Sequence, residues 1–220
     1  MATTTKGNRT LGLGAAARGF LGYPSPRLLL PVTLVAWSTR LWAMRWGWWD
    51  VAIPAIILGL EPFTEWAVHV FVLHFRPREL LGRRIDPLVA RKHREHHRDP
   101  RKPELIFVPF PVLITSLAVG AVGFWSLLPN GRLALTAIAS SYSMLLAYEW
   151  THFLIHSAYL PKSRPYRYIW RAHRLHHYRN EHYWFGVTVH AADHLLRTFP
   201  QKDAVPLSPT ARTLGVEEAA

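Results

Sequence analysis

Ten of the thirteen histidines in this 220-residue chain fall into four spaced groups, and no histidine precedes position 69. His69 and His74 form H-x4-H, and His93, His96 and His97 form H-x2-H-H. His152 and His156 form H-x3-H, and His173, His176 and His177 repeat H-x2-H-H. Neutral imidazole is a ligand for iron, copper, zinc and nickel. Three half-polar rings on one helical stripe have no evident use in packing. The repeat therefore reads as ligand geometry, and the number of rings suits two metals. The chain has no cysteine, which excludes thiolate zinc sites, Cys-ligated iron–sulfur clusters and disulfides within it. Any metal must be held by His, with Asp or Glu in support.

Residues at i, i+3 and i+4 share a helical face, so each H-x2-H-H is expected to direct three rings toward one point. His152 and His156 stack one turn apart. His69 and His74 stand ~140° apart on an ideal helix of ~3.6 residues per turn. They converge only if His74 lies past the helix end or the last turn is distorted, and the nearby Pro77 favours a helix end there. Glu65 lies four residues before His69 and Glu149 three before His152. Both interrupt apolar stretches, where an ionisable side chain is costly and marks a functional site. They read as carboxylates that orient metal-bound rings through the second ring N–H, rather than as ligands. Glu61 reads as a packing residue. His182, His190 and His194 fall outside the repeat and read as surface or supporting residues.

The elements that carry these groups are apolar. The chain is 50% hydrophobic yet carries a formal charge of +12, a combination that suits a membrane protein with basic flanks. A nucleic-acid footprint is disfavoured, because the basic residues flank long apolar stretches. Stretches 28–46, 49–73, 105–128 and 133–160 each supply the ~20 residues a span requires. Short connectors make two helical hairpins of them. The N-terminal segment, the loop 75–104 and the segment after 160 are rich in Arg and Lys, which makes their shared side cytoplasmic. Trp46, Trp48 and Trp49 mark the far interface. All four histidine groups then converge on one membrane face. The expected fold is all-α: an integral membrane protein of four transmembrane helices with a cytoplasmic helical histidine-rich cap. It occupies residues 28–200, between a flexible tail 1–27, which does not read as a secretory signal, and a disordered tail 201–220.

The segments EWAVHVFVLH (65–74), HREHH (93–97), EWTHFLIH (149–156), AHRLHH (172–177) and FGVTVHAAD (185–193) carry a family likeness. In this order they resemble the fatty acid hydroxylase/sterol desaturase superfamily of integral-membrane di-iron enzymes, with spacing most similar to the fatty acid 2-hydroxylases. The resemblance implies two iron ions held by the ten grouped histidines, with zinc able to replace iron in purified protein, and O2 as cosubstrate. It also implies a lipid substrate hydroxylated at an aliphatic C–H, a fatty acyl chain in the first instance, and an external electron donor of ferredoxin or cytochrome b5-like type. No fused cytochrome b5 domain is expected, and Ala192 stands where relatives carry an aromatic. Carotenoid or sterol hydroxylases and desaturases of the same superfamily are the alternative. A membrane metal-binding or transport protein is the non-enzyme rival, though its ligands belong near mid-bilayer rather than at one end. Phe71, Trp150 and Phe153 are the candidates to line a substrate tunnel.

Overall fold

The computed structural model describes residues 10–216; residues 1–9, including Lys6 and Arg9 of the basic tail, and residues 217–220 lie outside the described part. The chain is mostly helical. Helices α1 (Leu13–Phe20), α2 (Pro24–Trp42) and α3 (Trp49–Ala67) lead into a π-helical turn, Val68–Leu73. A short hairpin, β1 (Arg78–Leu80) and β2 (Arg83–Ile85), follows. Then come α4 (Leu88–Arg98), α5 (Phe110–Leu127), α6 (Gly131–His156), α7 (Arg164–Tyr178) and α8 (Ala191–Leu195). The hairpin is an addition to the all-α expectation. Leu81 and Gly82 both take positive φ (51° and 70°), the conformation a two-residue hairpin turn requires.

Helix α6 is the axis of the bundle, and α2, α3 and α5 all pack on it. Small residues permit the close approach: Ala134, Thr136, Ala137, Ala139 and Ser140 are buried along it. Its first turn is closed by Asn130, whose side chain accepts the Leu133 amide at 3.1 Å. Arg40, which interrupts the first apolar stretch, is fully buried. It stands 2.6 Å from Asp50, donates to Thr136 at 2.7 Å and lies 4.0 Å over the Trp46 ring. This pair ties α2, α3 and α6 at the end away from the histidines. Two stretches, Trp49–Leu73 and Pro103–Leu127, are long and apolar enough to cross a membrane. The other two expected spans fall in α2 and α6.

The described parts of both expected tails, residues 10–27 and 201–216, pack onto this core. Ala16 and Phe20 of α1 are buried with Ile106, Phe107 and Phe153, and the Leu11 amide donates to the Ala158 carbonyl at 3.1 Å. At the other end Val205, Ala211 and Leu214 are buried. Leu13, Leu21 and Leu207 stay exposed, so each segment docks through a few of its apolar residues.

Candidate metal centre

The end of α3 solves the H-x4-H problem by unwinding. The His74 amide donates to the His69 carbonyl at 3.0 Å, a bond to the fifth residue back. A π turn brings i and i+5 onto one face, so both rings point the same way.

The ten grouped histidines gather in two sets of five, within each of which one nitrogen of every ring lies within 4.8 Å of the rest. The first holds His69, His74, His93, His97 and His176; the second holds His96, His152, His156, His173 and His177. Each set takes two rings from the π turn after α3 or from α6, two from one of α4 and α7, and one from the other. The H-x2-H-H groups therefore do not converge on single points, as the shared-face argument expected. At ~100° per residue, i and i+4 differ by ~40° while i+3 swings ~60° the other way. Helix α4 thus sends His93 and His97 to the first set and His96 to the second, and α7 does the converse. The sets adjoin where the His97 and His177 rings stand 4.2 Å apart.

The nitrogens are spaced as ligands of a common ion. Nε2 of His93 lies 3.1 Å from that of His69 and 3.2 Å from that of His97. In the second set Nε2 of His173 lies 3.1 Å from that of His156 and 3.0 Å from that of His177. Two nitrogens ~2.1 Å from one metal and at right angles to each other are ~3.0 Å apart. Nε2 of His74, His152 and His176 and both nitrogens of His96 are buried without a partner, at ~1–3 kcal/mol each if left so. Burial pushes His97 down to about 3. Burial and the neighbouring rings hold His93, His96, His173, His176 and His177 well below the ordinary histidine value. The rings are thus in the neutral, ligating form. The donor set fits a pair of transition-metal ions.

Backbone carbonyls orient the rings. Nδ1 of His69 donates to Phe185 at 2.5 Å, His97 to Ala211 at 2.8 Å, His152 to Ile106 at 2.9 Å and His176 to Tyr183 at 2.8 Å. Glu65 and Glu149 hydrogen-bond to no histidine among the described residues, which corrects the expected direct role. A helical side chain leans toward its own N-terminus, so each acid reaches backbone beside the ring instead. Glu149 accepts the Val108 amide at 3.2 Å and the Ser25 hydroxyl at 2.6 Å. Glu65 accepts the Val187 amide and, at 3.1 Å, the Thr188 amide. Each anchor lies two or three residues beyond the carbonyl that holds the ring. Glu61 accepts the Thr188 hydroxyl at 2.9 Å.

Asp193, not singled out by the spacing argument, organises the same loop. It accepts the Phe185 and Gly186 amides at 3.0 and 2.8 Å, the Thr198 hydroxyl at 2.6 Å and His190 Nδ1 at 2.9 Å. Burial alone would raise this carboxyl, but the His190 and Thr198 hydrogen bonds hold it below the usual range. A Cβ on Gly186 would meet the Val189 carbonyl at 2.6 Å, so the loop closes only around glycine. His182 and His194 are exposed and His190 is buried; none joins either set.

Beside His69 of the first set, α3, α5 and α6 line an open cavity of about 410 Å³ reaching from Glu61 and Ser116 to His69 and Tyr148, with walls including Leu113 and Met144. A smaller pocket sharing Leu73, Val89, Val108 and Tyr148 continues past His93 and His152 to Lys92. The expected tunnel residues lie elsewhere. Phe71 is exposed, and Trp150 and Phe153 pack with Phe20.

The sequence profile of the fatty acid hydroxylase family matches residues 54–198, a stretch that holds all ten grouped histidines. This chain belongs to the fatty acid hydroxylase family. Among curated proteins it is similar to two dihydroceramide fatty acyl 2-hydroxylases of Arabidopsis thaliana. The identity is 27% over 158 residues for FAH1, covering 69% of this chain and 63% of the relative. It is 26% over 150 residues for FAH2, covering 66% and 60%. This fatty acid hydroxylase family member thus spans about three fifths of the length of those relatives. Among solved structures, full-length scs7p, with only its hydroxylase domain visible, shares the fold at a TM-score of 0.69 and 24% identity, over 84% of this chain and 68% of that one.

Proposed function

We propose that the protein is an oxygen-dependent oxidoreductase that hydroxylates an aliphatic C–H of a lipid acyl chain. The observation that carries this reading is the pair of five-histidine sets beside an apolar cavity, which His69 lines directly and which a smaller pocket continues to His93 and His152. The first set would hold one iron and the second the other, with zinc able to replace either. Bound iron supplies the redox chemistry that activates O2. The balance is RH + O2 + 2 e⁻ + 2 H⁺ giving ROH + H2O.

The chain's own residues do the rest. Val68, Val72, Leu113, Met144 and Leu145 bind the acyl chain, each buried methylene contributing ~0.8 kcal/mol. Tyr148 and His69, at the top of the cavity, present the chain to the ligand rings. The lipid head lies toward Lys92, so the oxidised carbon is one near the head. The names of the Arabidopsis relatives, 2-hydroxylases of fatty acyl groups, support that position. Burial of both sets under α4 and α7 keeps bulk water from the reacting carbon. The electrons come from an external donor of ferredoxin or cytochrome b5-like type, as the family resemblance implies. The Arg and Lys of the cap and its loops support four spans, with the histidine face cytoplasmic.

The test is anaerobic iron loading, reconstitution with lipid and an electron donor, and exposure to isotopically labelled oxygen gas. One labelled oxygen atom in a hydroxyl near the lipid head is the expected product. Electron consumption with no labelled lipid, across acyl amides, free acids and sterols, sinks the reading.

A further inference from the structure

Residues 205–216 lie beyond the family-matched region, yet their backbone enters the first histidine set. The Ala211 carbonyl accepts His97 Nδ1 at 2.8 Å. On the α7 side the segment is fastened several times over. Arg179 Nε donates to the Val205 carbonyl at 2.7 Å, the Ser208 amide to the Arg179 carbonyl at 2.8 Å and Asn180 to the Pro206 carbonyl at 3.3 Å. The Thr210 hydroxyl donates to the buried carboxylate of Glu181, and Val205 packs with Ala172 and Trp184. On the α4 side Arg212 donates to the Arg98 carbonyl at 2.8 Å, and Arg98 to the Val216 carbonyl at 3.0 Å. The segment is a strap that runs from the end of α7 to the end of α4. Those two helices supply six of the ten ligand rings.

A neutral imidazole has one N–H. A carbonyl at Nδ1 draws that proton there and leaves the Nε2 lone pair free for a metal. Three of the four orienting carbonyls, those of Ile106, Tyr183 and Phe185, lie inside the family-matched region; Ala211 lies outside it. The rings of the second set take no hydrogen bond from the strap among the described residues. Their orienting bond comes from Ile106.

We propose that the strap is a working part of the first set. It acts as a clasp that fixes the tautomer and rotamer of His97, so that this set holds its ion only when the clasp is closed, while the second set holds its own without it. The inference rests on the reading of the two sets as metal sites. Ala211 is a positioning residue, acting through His97.

The experiment counts zinc by elemental analysis in the full chain and in a chain ending at Ala204. Two ions per full chain and about one per shortened chain are expected, with a peptide of residues 205–220 restoring the second. Adding His97→Ala to the shortened chain should remove nothing further, whereas adding His177→Ala should strip the remaining ion. Thr210→Val, which frees one fastening in the intact chain, should speed chelator extraction of one ion of the two roughly 10-fold, within the range typical of groups that support ligands. Two ions in the shortened chain, loss of both without recovery on adding peptide, or equal effects of Thr210→Val on the two ions would each overturn the clasp. A full chain that binds no zinc would instead refute the metal reading, and the clasp with it.

Discussion

His152 donates its Nδ1–H to the Ile106 carbonyl at 2.9 Å, and the acid one turn earlier on the same helix, Glu149, holds the Val108 amide two residues on. Glu65 repeats the pattern with Thr188 beside the Phe185 carbonyl that orients His69. The acids fix the loops, and the loops fix the rings. Glu149→Gln and Glu65→Gln each keep one acceptor oxygen but replace the other with an NH2 donor, and each removes the negative charge that faces the backbone N–H groups. Each should weaken metal affinity 10–100-fold or so in the set whose ring the loop orients. Competitive metal titration reads this directly. Unchanged affinity in both variants would show that the carboxylates only pack.

Ligand and bystander histidines should separate by which ion is lost. His96→Ala removes a ring from the second set and His176→Ala one from the first, so each should weaken a different ion and abolish hydroxylation. His194→Ala loses a hydrogen bond to the Tyr168 hydroxyl and should keep both ions. His190→Ala should keep both ions too, at a cost of ~1–3 kcal/mol in stability from the lost buried hydrogen bond to Asp193. Metal stoichiometry of the four variants is the measurement. Retention of both ions on changing His96 or His176 contradicts the assignment.

The metal-free protein should lose stability in acid. The grouped histidines of α4 and α7 have folded values held below the unfolded ~6.5, with His97 at about 3. Their contribution is present above the unfolded value and is lost as pH falls toward the folded ones, because the unfolded chain takes up protons first. Each such group costs ~1.4 kcal/mol per pH unit in that window. The thermal midpoint of the metal-free protein should therefore fall between about pH 7.5 and about pH 5.5. A flat profile would mean the rings are not held neutral.

Filling the cavity should exclude substrate without touching the metals. Met144→Trp adds bulk beside Leu145 and Tyr148 and should cost ~1–3 kcal/mol in stability if it strains the wall. Hydroxylation of long-chain lipids should fall at least ~10-fold, the equivalent of about 1.4 kcal/mol. Both ions should remain. Full activity with full metal content would place the acyl chain elsewhere.

The grouping of the rings was readable in the sequence because helical periodicity is local: four spacings named the ten rings that the fold brings together. The division of each H-x2-H-H between two sets was not readable. It depends on which partners face each side of α4 and α7, a tertiary fact. The π turn at His69 was half visible, since the spacing required a distortion but left its form open. The orienting carbonyls of Ile106, Tyr183, Phe185 and Ala211 were invisible, because a backbone oxygen carries no residue signature. The termini misled for a related reason. Val205, Ala211 and Leu214 are too sparse to read as a core segment, and only their docking onto α4 and α7 gives them one.

His96 and His97 are consecutive residues serving different sets, and so are His176 and His177. Their Cα atoms are held ~3.8 Å apart by a single planar peptide. The two sets are thus joined through a single peptide twice over, once in α4 and once in α7. Breathing of the bundle, a bent bilayer or a bulky lipid can shift α4 against α7 while each peptide keeps its gauge. A rigid movement of either helix therefore carries a ring of both sets with it.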